Sequence, residues 1–324
     1  MISPIDEAQL RQILPTTFPN RSVKKVQPLT GGLINTNLKI DFVDNKESVV
    51  IRFYRDGADV CRKELALEDL IASKVRVPRV LHANPDGMDG SHGFVVSEFI
   101  NGITFHELKR TNNLEAISQA AHSVGQTLAS IGQFQFQKPG RLVTSSDKLE
   151  VGSPFVEGSD LVPRLLDTFL ESPRCQHRLG LKLVDQVHSF VWSWASRLSN
   201  FDDACSLVHS DFGNRNILVR EEQGRWIVAA IIDWEFAFSG SPLLDVGHFL
   251  RYETDRLPSC EPHFSRGFAE HGGKLPDNWR EIVRVIDLTG LIECLTHEEL
   301  PADVEAELLE LARATIEQRD DLLR

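Results

Sequence analysis

The sequence contains the stretch Leu207-Val208-His209-Ser210-Asp211-Phe212-Gly213-Asn214-Arg215-Asn216, in which three polar residues follow the spacing H-x-D-x-x-x-x-N. Residues 217–219 after it predict a short strand, residues 221–225 a polar turn, and residues 226–232 a return strand that ends at Asp233. Residues equidistant from a hairpin turn face each other, and Asn216 and Asp233 are equidistant from the Gly224 region to within a residue. This pattern predicts one amide and one carboxylate at the open end of a hairpin.

Those two side chains suit a metal site. Amide and carboxylate oxygens are hard ligands that can hold Mg²⁺ against phosphate groups. Asp211, at the mouth of the same predicted site, can accept a proton from a hydroxyl group. An isolated aspartate or asparagine at a strand end is typical of a turn, but the joint spacing of Asp211, Asn216 and Asp233 favours a functional interpretation.

The first hundred residues alternate between β-rich runs and turn residues. The pattern predicts strands over residues 22–29, 35–42, 48–55, 79–82 and 94–99, and one helix over residues 60–74. Beyond Asn101-Gly102 long amphipathic segments predict helices over residues 114–134, 181–198, 279–296 and 302–323. Residues 138–160 read as a loop-rich insertion. We therefore predict two lobes, residues 1–100 and 101–324, joined by a hinge at about residues 97–102.

Composition and charge exclude several protein classes. With 41% hydrophobic and 25% charged residues the chain is typical of a globular protein, and its longest apolar run, residues 226–232, is far too short for a membrane helix. The formal net charge of −12 disfavours nucleic acid as a partner and fits a cationic substrate. We expect neither a nucleic-acid nor a membrane partner.

Five scattered cysteines, at positions 61, 175, 205, 260 and 294, follow no disulfide or zinc pattern. The N-terminus lacks the basic and apolar regions of a secretory signal. Both features favour free thiols and a cytoplasmic location.

The chain resembles the aminoglycoside phosphotransferase and choline kinase superfamily. The resemblance lies in His209-Ser210-Asp211 through Asn216, in Ile232-Asp233-Trp234-Glu235, and in Ser241-Pro242-Leu243-Leu244-Asp245, and it extends over roughly residues 22–250. It implies an α+β, two-lobed protein-kinase-like fold, with a small β-rich N-lobe carrying one main helix and a larger, mainly helical C-lobe.

The resemblance also implies the roles of individual residues. Asp211 would act as the base, and Asn216 and Asp233 would hold Mg²⁺. Residues 29–37 resemble the loop that covers the nucleotide, and residues 94–102 resemble the hinge. The residues expected to contact ATP are Gly31, Gly32, Asn35, Thr36, Arg52, Glu64, Glu98 and Ile100.

Two positions depart from the family pattern. Ser210 replaces the usual glycine of His-Gly-Asp, a change between small residues that we expect to be tolerated. Arg52 stands where kinases usually have a lysine, but strand alternation places it on one face with Val50, and a guanidinium can bind phosphate through two bonds. We therefore expect Arg52 to face the nucleotide.

The helix over residues 60–74 offers two partners for Arg52. Glu64 and Glu68 lie one turn apart on the same face, and the distance of Glu64 from Val77-Pro78 resembles the family pattern. Asp245 resembles an aspartate that braces the catalytic loop, and His209 resembles a packing residue.

The implied activity is ATP- and Mg²⁺-dependent transfer of the γ-phosphoryl group to a hydroxyl of a small molecule, aminoglycoside-like or otherwise cationic or polar. One alternative is a metabolic kinase of homoserine, a choline-like amino alcohol, a methylthio-sugar or a glycated amine. An alternative of another class is a catalytically inactive nucleotide-binding regulator, against which the joint presence of Asp211, Asn216 and Asp233 argues.

Overall fold

The strands concentrate near the N-terminus and around residue 220. The structure is a computed structural model that describes residues 4–29, 35–44, 46–88, 92–145, 148–251, 253 and 259–317. Its strands are β1 (Val23–Pro28), β2 (Thr36–Phe42), β3 (Val49–Tyr54), β4 (Val80–Asn84), β5 (Gly93–Glu98), β6 (Ile103–Thr104), β7 (Gly140–Ser145), β8 (Lys148–Val151), β9 (Ser206–Val208), β10 (Ile217–Glu222), β11 (Arg225–Ile231) and β12 (Phe238–Gly240).

Helices dominate the second half of the chain. They are α1 (Pro4–Thr17), α2 (Ala58–Ile71), α3 (Phe105–Arg110), α4 (Leu114–Ile131), α5 (Leu161–Leu170), α6 (Pro173–Leu179), α7 (Leu181–Trp192), α8 (Ala195–Leu198), α9 (Leu243–Leu250), α10 (Glu261–Glu270), α11 (Trp279–Cys294) and α12 (Ala302–Glu317). Across the described ranges, no helix is both long and apolar enough to span a membrane. The β-rich N-terminal sheet and helical C-terminal region confirm the predicted α+β class.

The chain forms two compact units that are discontinuous in sequence. The first comprises Met1–Ser123, Leu142–Glu150 and Asn214–Phe236, and the second comprises Val124–Arg141, Val151–Gly213 and Ala237–Arg324. This grouping adds the β10/β11 hairpin to the N-terminal residues, whereas we divided the chain at residue 100. The division into lobes at residues 97–102 stays a prediction.

In the first unit, five antiparallel strands form a sheet in the order β1-β2-β3-β5-β4. Side chains alternate along β3, so that Val49, Ile51 and Phe53 enter a core with Leu10 and Ile13 of α1. Arg52 consequently lies on the other face of β3, with Tyr54, which packs against Cys61 of α2. This alternation confirms the strand register that the sequence predicted for Arg52.

A second, three-stranded sheet in the first unit has the order β11-β10-β6. β6 follows the predicted hinge and pairs with β10 through Val219↔Ile103. Gly102 permits this approach, since a Cβ there would lie 2.6 Å from the carbonyl oxygen of Val219. The hairpin is thereby fixed to the residues after β5.

In the second unit, α11 packs against α5, α9 and α12. The contact with α9 is close, because a Cβ on Gly247 would lie only 2.7 Å from the carbonyl oxygen of Val283. α9 follows β12, which pairs with β9 through Phe238↔Val208. This arrangement presents α9 to the loop that follows β9.

Several elements differ from the sequence prediction. Residues 4–17 form α1, which we did not predict, and two strands, β7 and β8, replace part of the loop expected over residues 138–160. The helix predicted over residues 181–198 is interrupted after Trp192. Residues 318–323 of the last predicted helix lie outside the described residues.

Candidate active site

The β10/β11 hairpin brings Asn216 close to Asp233, as its spacing predicted. Ile217 pairs with Ile231, and the backbone N–H of Ile232 donates to the carbonyl oxygen of Asn216 at 3.0 Å. A bulge at Ala229 adds one residue to β11. Asn216 therefore lies opposite Ile232, one residue before Asp233.

Arg52 of β3 binds the carboxylates of this turn. Its Nη2 atom donates to Asp233 Oδ1 at 2.7 Å and to Glu235 Oε2 at 3.0 Å. Its Nε atom lies 3.5 Å from Glu64 Oε2 in α2. Of the two glutamates that the sequence offered, Glu64 makes this ion pair, whereas burial and the neighbouring Glu64 raise the pKa of Glu68 well above its ordinary value.

Helix α2 also holds the backbone of the Asp233-Trp234-Glu235 turn. The second carboxylate oxygen of Glu64 accepts from the backbone N–H of Trp234 at 3.1 Å. Lys63, the preceding residue, donates to the carbonyl oxygen of Glu235. Two consecutive residues of α2 thus bind the turn from which Asp233 projects.

Three carboxylates around one guanidinium dominate the local charge. Burial alone lowers the pKa of Arg52, but Glu64, Asp233 and Glu235 outweigh it, so the pKa is raised and the guanidinium stays charged. Burial, reinforced by Asp233, raises the pKa of Glu235 to about 7. The cluster of Glu64, Asp233 and Glu235 is therefore able to bind an additional cation, which would reduce the repulsion among its carboxylates.

The first part of the loop after β9, residues 209–213, lies in the second unit and is braced by α9. Asp245 is fully buried, and its two oxygens accept from the backbone N–H groups of His209 at 2.7 Å and Ser210 at 2.9 Å. Phe212 is also fully buried and packs against the ring of Phe249. The loop therefore has a fixed backbone, while the side chain of Asp211 is 40% exposed.

Two non-glycine residues of these loops have left-handed backbones: Ser210 has φ 74° and Asp233 has φ 71°. This region costs a residue with a Cβ about 1 to 2 kcal/mol and is populated freely by glycine. The backbone conformation therefore explains the usual glycine of His-Gly-Asp. We expected serine to be tolerated at position 210 because it is small, but residue size is not what this position selects.

Replacing Ser210 with glycine should remove this conformational cost. After the entropy of the more flexible unfolded chain is subtracted, we expect Ser210→Gly to raise the free energy of unfolding by about 0.5 to 1 kcal/mol, measured by denaturant titration. The matched control is Ser172→Gly, because Ser172 has φ −63° and its side chain makes no helix-capping bond. That substitution should lower stability or leave it unchanged, and equal effects at the two positions would contradict the explanation.

The remaining predicted nucleotide contacts are distributed as follows. Asn35 is buried and bridges Glu235, through Nδ2 at 2.5 Å, to the backbone N–H of Arg55. Thr36 begins β2, and its Oγ1 accepts from Arg55 at 2.9 Å. Glu98 ends β5 and accepts from the backbone N–H of Arg79 at 3.0 Å, and Ile100 follows it as a half-buried residue. Gly31 and Gly32 lie outside the described residues.

Sequence reasoning assigned no role to Lys63 or Glu235. Glu235 stands in the quoted Asp-Trp-Glu motif, so its position two residues after Asp233 was the available signal. Lys63 gave no comparable signal, since it contacts a residue 172 positions away in the chain. Both residues support the turn that carries Asp233.

Comparison with known proteins matches these features to one family. A family model described as "Phosphotransferase enzyme family" matches residues 25–282, which is well over half of the chain. No curated protein matches the sequence significantly.

Solved structures support the same fold. The GDP complex of aminoglycoside 2'-phosphotransferase-IIIa is 19% identical with a TM-score of 0.72, and the alignment covers 97% of this chain and 99% of that one. Aminoglycoside phosphotransferase APH(4)-Ia is 18% identical with a TM-score of 0.68, covering 96% and 98%. A protein from Thermobifida fusca assigned as a fructosamine-3-kinase is 16% identical with a TM-score of 0.61, covering 98% and 100%.

At identities of 16 to 19% these alignments show a similar fold and not a shared substrate. The family model, however, spans β1 to α11 and so includes the loop after β9 and the turn after β11. The fold is that of the protein-kinase-like phosphotransferases, as the sequence predicted. The chain belongs to the phosphotransferase enzyme family, whose members include small-molecule kinases.

Proposed function

We propose that the protein transfers the γ-phosphoryl group of ATP to a hydroxyl of a small molecule. The observation that carries this proposal is the set of bonds from Arg52 to Asp233 and Glu235, with Glu64 completing the group. It joins a guanidinium suited to phosphate with a carboxylate suited to a divalent cation. Both groups project from ordered elements, β3 and the end of β11.

The nucleotide would lie against Arg52, with residues 31–36 covering its phosphates. A guanidinium can bind two phosphate oxygens at once, so the α- and β-phosphates are its natural ligands. Nucleotide complexes of structural relatives support a nucleotide at this place: a thermostable mutant of APH(4)-Ia binds ADP together with hygromycin B, and the 2'-phosphotransferase binds GDP. We assign ATP as the donor and Mg²⁺ as the cofactor.

The residues at the end of the hairpin fit a magnesium ion. Asp233 presents a partly exposed carboxylate, and Asn216 is the residue immediately before β10, the strand that pairs with β11. No group of three or more His, Cys, Asp or Glu side chains in the described part of the chain forms a preformed metal site. Magnesium commonly takes only one or two protein ligands and completes its shell with phosphates and water. When bound it would neutralise charge on the phosphates, with Asn216 and Asp233 as its protein ligands.

Asp211 would act as the base. Its half-exposed carboxylate stands on a backbone fixed by Asp245, which suits a group that must meet a soluble substrate. In the proposed step the substrate oxygen forms a bond to the γ-phosphorus as the bond from that phosphorus to the oxygen of ADP breaks, and Asp211 takes the hydroxyl proton. Little covalent help is needed because the phosphoryl transition state is loose.

The acceptor would be a cationic or polar molecule of the aminoglycoside type. The formal charge of −12 supports a cationic acceptor, and kanamycin binds with GDP to the related APH(2")-IIIa. A glycated amine is the second candidate, favoured by the likeness to the protein assigned as a fructosamine-3-kinase. Five scattered cysteines that follow no disulfide or zinc pattern support a reducing compartment such as the cytoplasm.

The proposal is tested by incubating the protein with Mg²⁺ and ATP and a panel of aminoglycosides, amino alcohols, sugars and glycated amines, and detecting phosphorylated product by mass spectrometry. Product formation with at least one acceptor is expected. Formation of no ADP or product with any acceptor would favour the inactive regulator.

The metal assignment has a separate test, Asp233→Asn. Asparagine tolerates the left-handed backbone of this position better than alanine but loses the carboxylate charge. Calorimetry should show ATP binding at least tenfold weaker in the presence of Mg²⁺ and little changed in EDTA. The control is Asp59→Asn, at a fully exposed side chain in the same unit. An unchanged Mg²⁺ dependence of ATP binding would remove Asp233 from the metal site.

A further inference from the structure

His248 contacts the catalytic loop from the same helix as Asp245. The two residues are three apart in α9, so they lie on one face of that helix. Asp245 binds the backbone N–H groups of His209 and Ser210. His248 lies one turn further along, beside the next part of the loop, and we had assigned no role to it.

The imidazole of His248 contacts two oxygen atoms of the loop. Its Nδ1 atom lies at hydrogen-bond distance, 3.3 Å, from the carbonyl oxygen of Ser210, and its Nε2 atom lies at an ion-pair distance of 3.4 Å from Oδ1 of Asp211. A Cβ on Gly213 would lie 3.2 Å from the same Nε2 atom, so the loop fits closely around the ring.

The ring is neutral at physiological pH and carries one proton. Burial lowers the pKa of His248 to about 4, and nearby Arg251 acts in the same direction against the smaller opposing effects of Asp211, Asp287 and the Ser210 carbonyl. Arg251 is itself fixed by two bonds of 2.8 Å to Asp287 of α11. Only one of the two oxygen contacts can therefore receive a hydrogen bond.

The carboxylate is the stronger acceptor of the two. A hydrogen bond to an ionised oxygen is roughly twice as strong as one to a neutral carbonyl. We therefore expect the single proton on Nε2, where it would donate to Asp211, and not on Nδ1, where it would donate to the Ser210 carbonyl.

The geometry points to His248 as a positioning residue: its Nε2–H holds Oδ1 of Asp211 and leaves the other carboxylate oxygen to accept the substrate proton. This role rests on the proposed function of Asp211 as base. A fixed carboxylate favours turnover, because a base that rotates away from the hydroxyl lowers the fraction of productive complexes. His248 does not exchange a proton with the substrate in this scheme.

Three substitutions separate the two ring contacts. The amide of glutamine reaches the position of Nε2, and that of asparagine reaches the position of Nδ1, so His248→Gln keeps the contact with Asp211 and His248→Asn keeps the contact with Ser210. His248→Phe fills the space and keeps neither. We expect kcat within about threefold of the wild type for glutamine and at least tenfold lower for asparagine and phenylalanine, with the KM for ATP within twofold in all three.

Two patterns of kcat would overturn the inference. Wild-type turnover in His248→Phe would show that the ring does not position Asp211. Rescue by asparagine but not by glutamine would assign the effect to the Ser210 carbonyl instead. The kcat of the wild type is the reference for all three variants. A wild-type protein that turns over no acceptor would contradict the proposed function, and it would leave the contact between His248 and Asp211 to be decided by the measurement below.

A second measurement decides the contact without any acceptor. The ¹⁵N chemical shifts of the imidazole report which ring nitrogen carries the proton. We expect the Nε2–H tautomer for His248 in the wild type and a change to Nδ1–H, facing Ser210, in Asp211→Ala. An Nδ1–H ring in the wild type would overturn the inference.

Discussion

Asp211→Asn is expected to lower turnover by about 10² or more while the affinity for ATP stays nearly intact, because an amide cannot take the substrate proton. The substitution keeps the size of the side chain, and its backbone remains held through Asp245, which binds the two preceding N–H groups. Steady-state kinetics with the best acceptor of the panel give kcat, and calorimetry gives the dissociation constant for ATP. A loss in kcat alone would identify a group that acts on the reacting hydroxyl.

The matched control for this variant is Asp185→Asn. Asp185 is an exposed aspartate of α7 in the same unit, so its substitution makes the same change of charge without touching the loop. We expect wild-type kcat for the control. Near-wild-type turnover in Asp211→Asn would remove this residue from the mechanism.

The hairpin was predictable because the residues that determine it are close together in the sequence. The strands flank a short polar turn, and counting outward from Gly224 places Asn216 opposite the end of β11. The bulge at Ala229, which has no clear sequence signal, moves the partner of Asn216 from Ile231 to Ile232, one residue closer to the predicted Asp233. The face of β3 that carries Arg52 was predictable for the same reason, since alternation in a strand needs no knowledge of distant residues.

Elements whose stability depends on tertiary packing were missed. α1 contains Pro15, which disfavours a helix, but Leu10 and Ile13 are buried against the five-stranded sheet. β7 is stabilised by pairing with β12, almost a hundred residues later, through Phe238↔Arg141. The local hydrophobic periodicity gives no information about such distant partners. We therefore predicted no helix over residues 4–17 and a loop where β7 lies.

The carboxylates around Arg52 show the same limit within the candidate site. Glu64 was recognisable from its position in α2, but the additional bond from Arg52 to Glu235 joins residues 183 positions apart. Contacts of this kind arise only when β3, α2 and the end of β11 are assembled in one unit. They extend what is expected of Arg52, from a phosphate ligand with one glutamate partner to a residue that binds three carboxylates in the ligand-free fold.

Arg52→Ala is therefore expected to lower both stability and nucleotide binding. Without the guanidinium, Glu64, Asp233 and Glu235 lose the charge that offsets their repulsion, and removing one partner of a buried ion pair typically costs about 3 to 5 kcal/mol. The KM for ATP should rise and kcat should fall, because a phosphate ligand contributes to binding and to alignment. Denaturant titration of the ligand-free protein and steady-state kinetics measure the two effects.

Arg52→Lys distinguishes charge from geometry. Lysine restores the positive charge but has a single ammonium group, so it cannot reproduce the donation from Nη2 to Asp233 and Glu235 together with the Nε contact to Glu64. We expect it to recover most of the lost stability and only part of the lost ATP affinity. The matched control is Arg110→Ala, because Arg110 is exposed in α3 of the same unit. If Arg52→Ala unfolded like the wild type and kept its KM for ATP, neither the carboxylate group nor the phosphate contact would depend on Arg52.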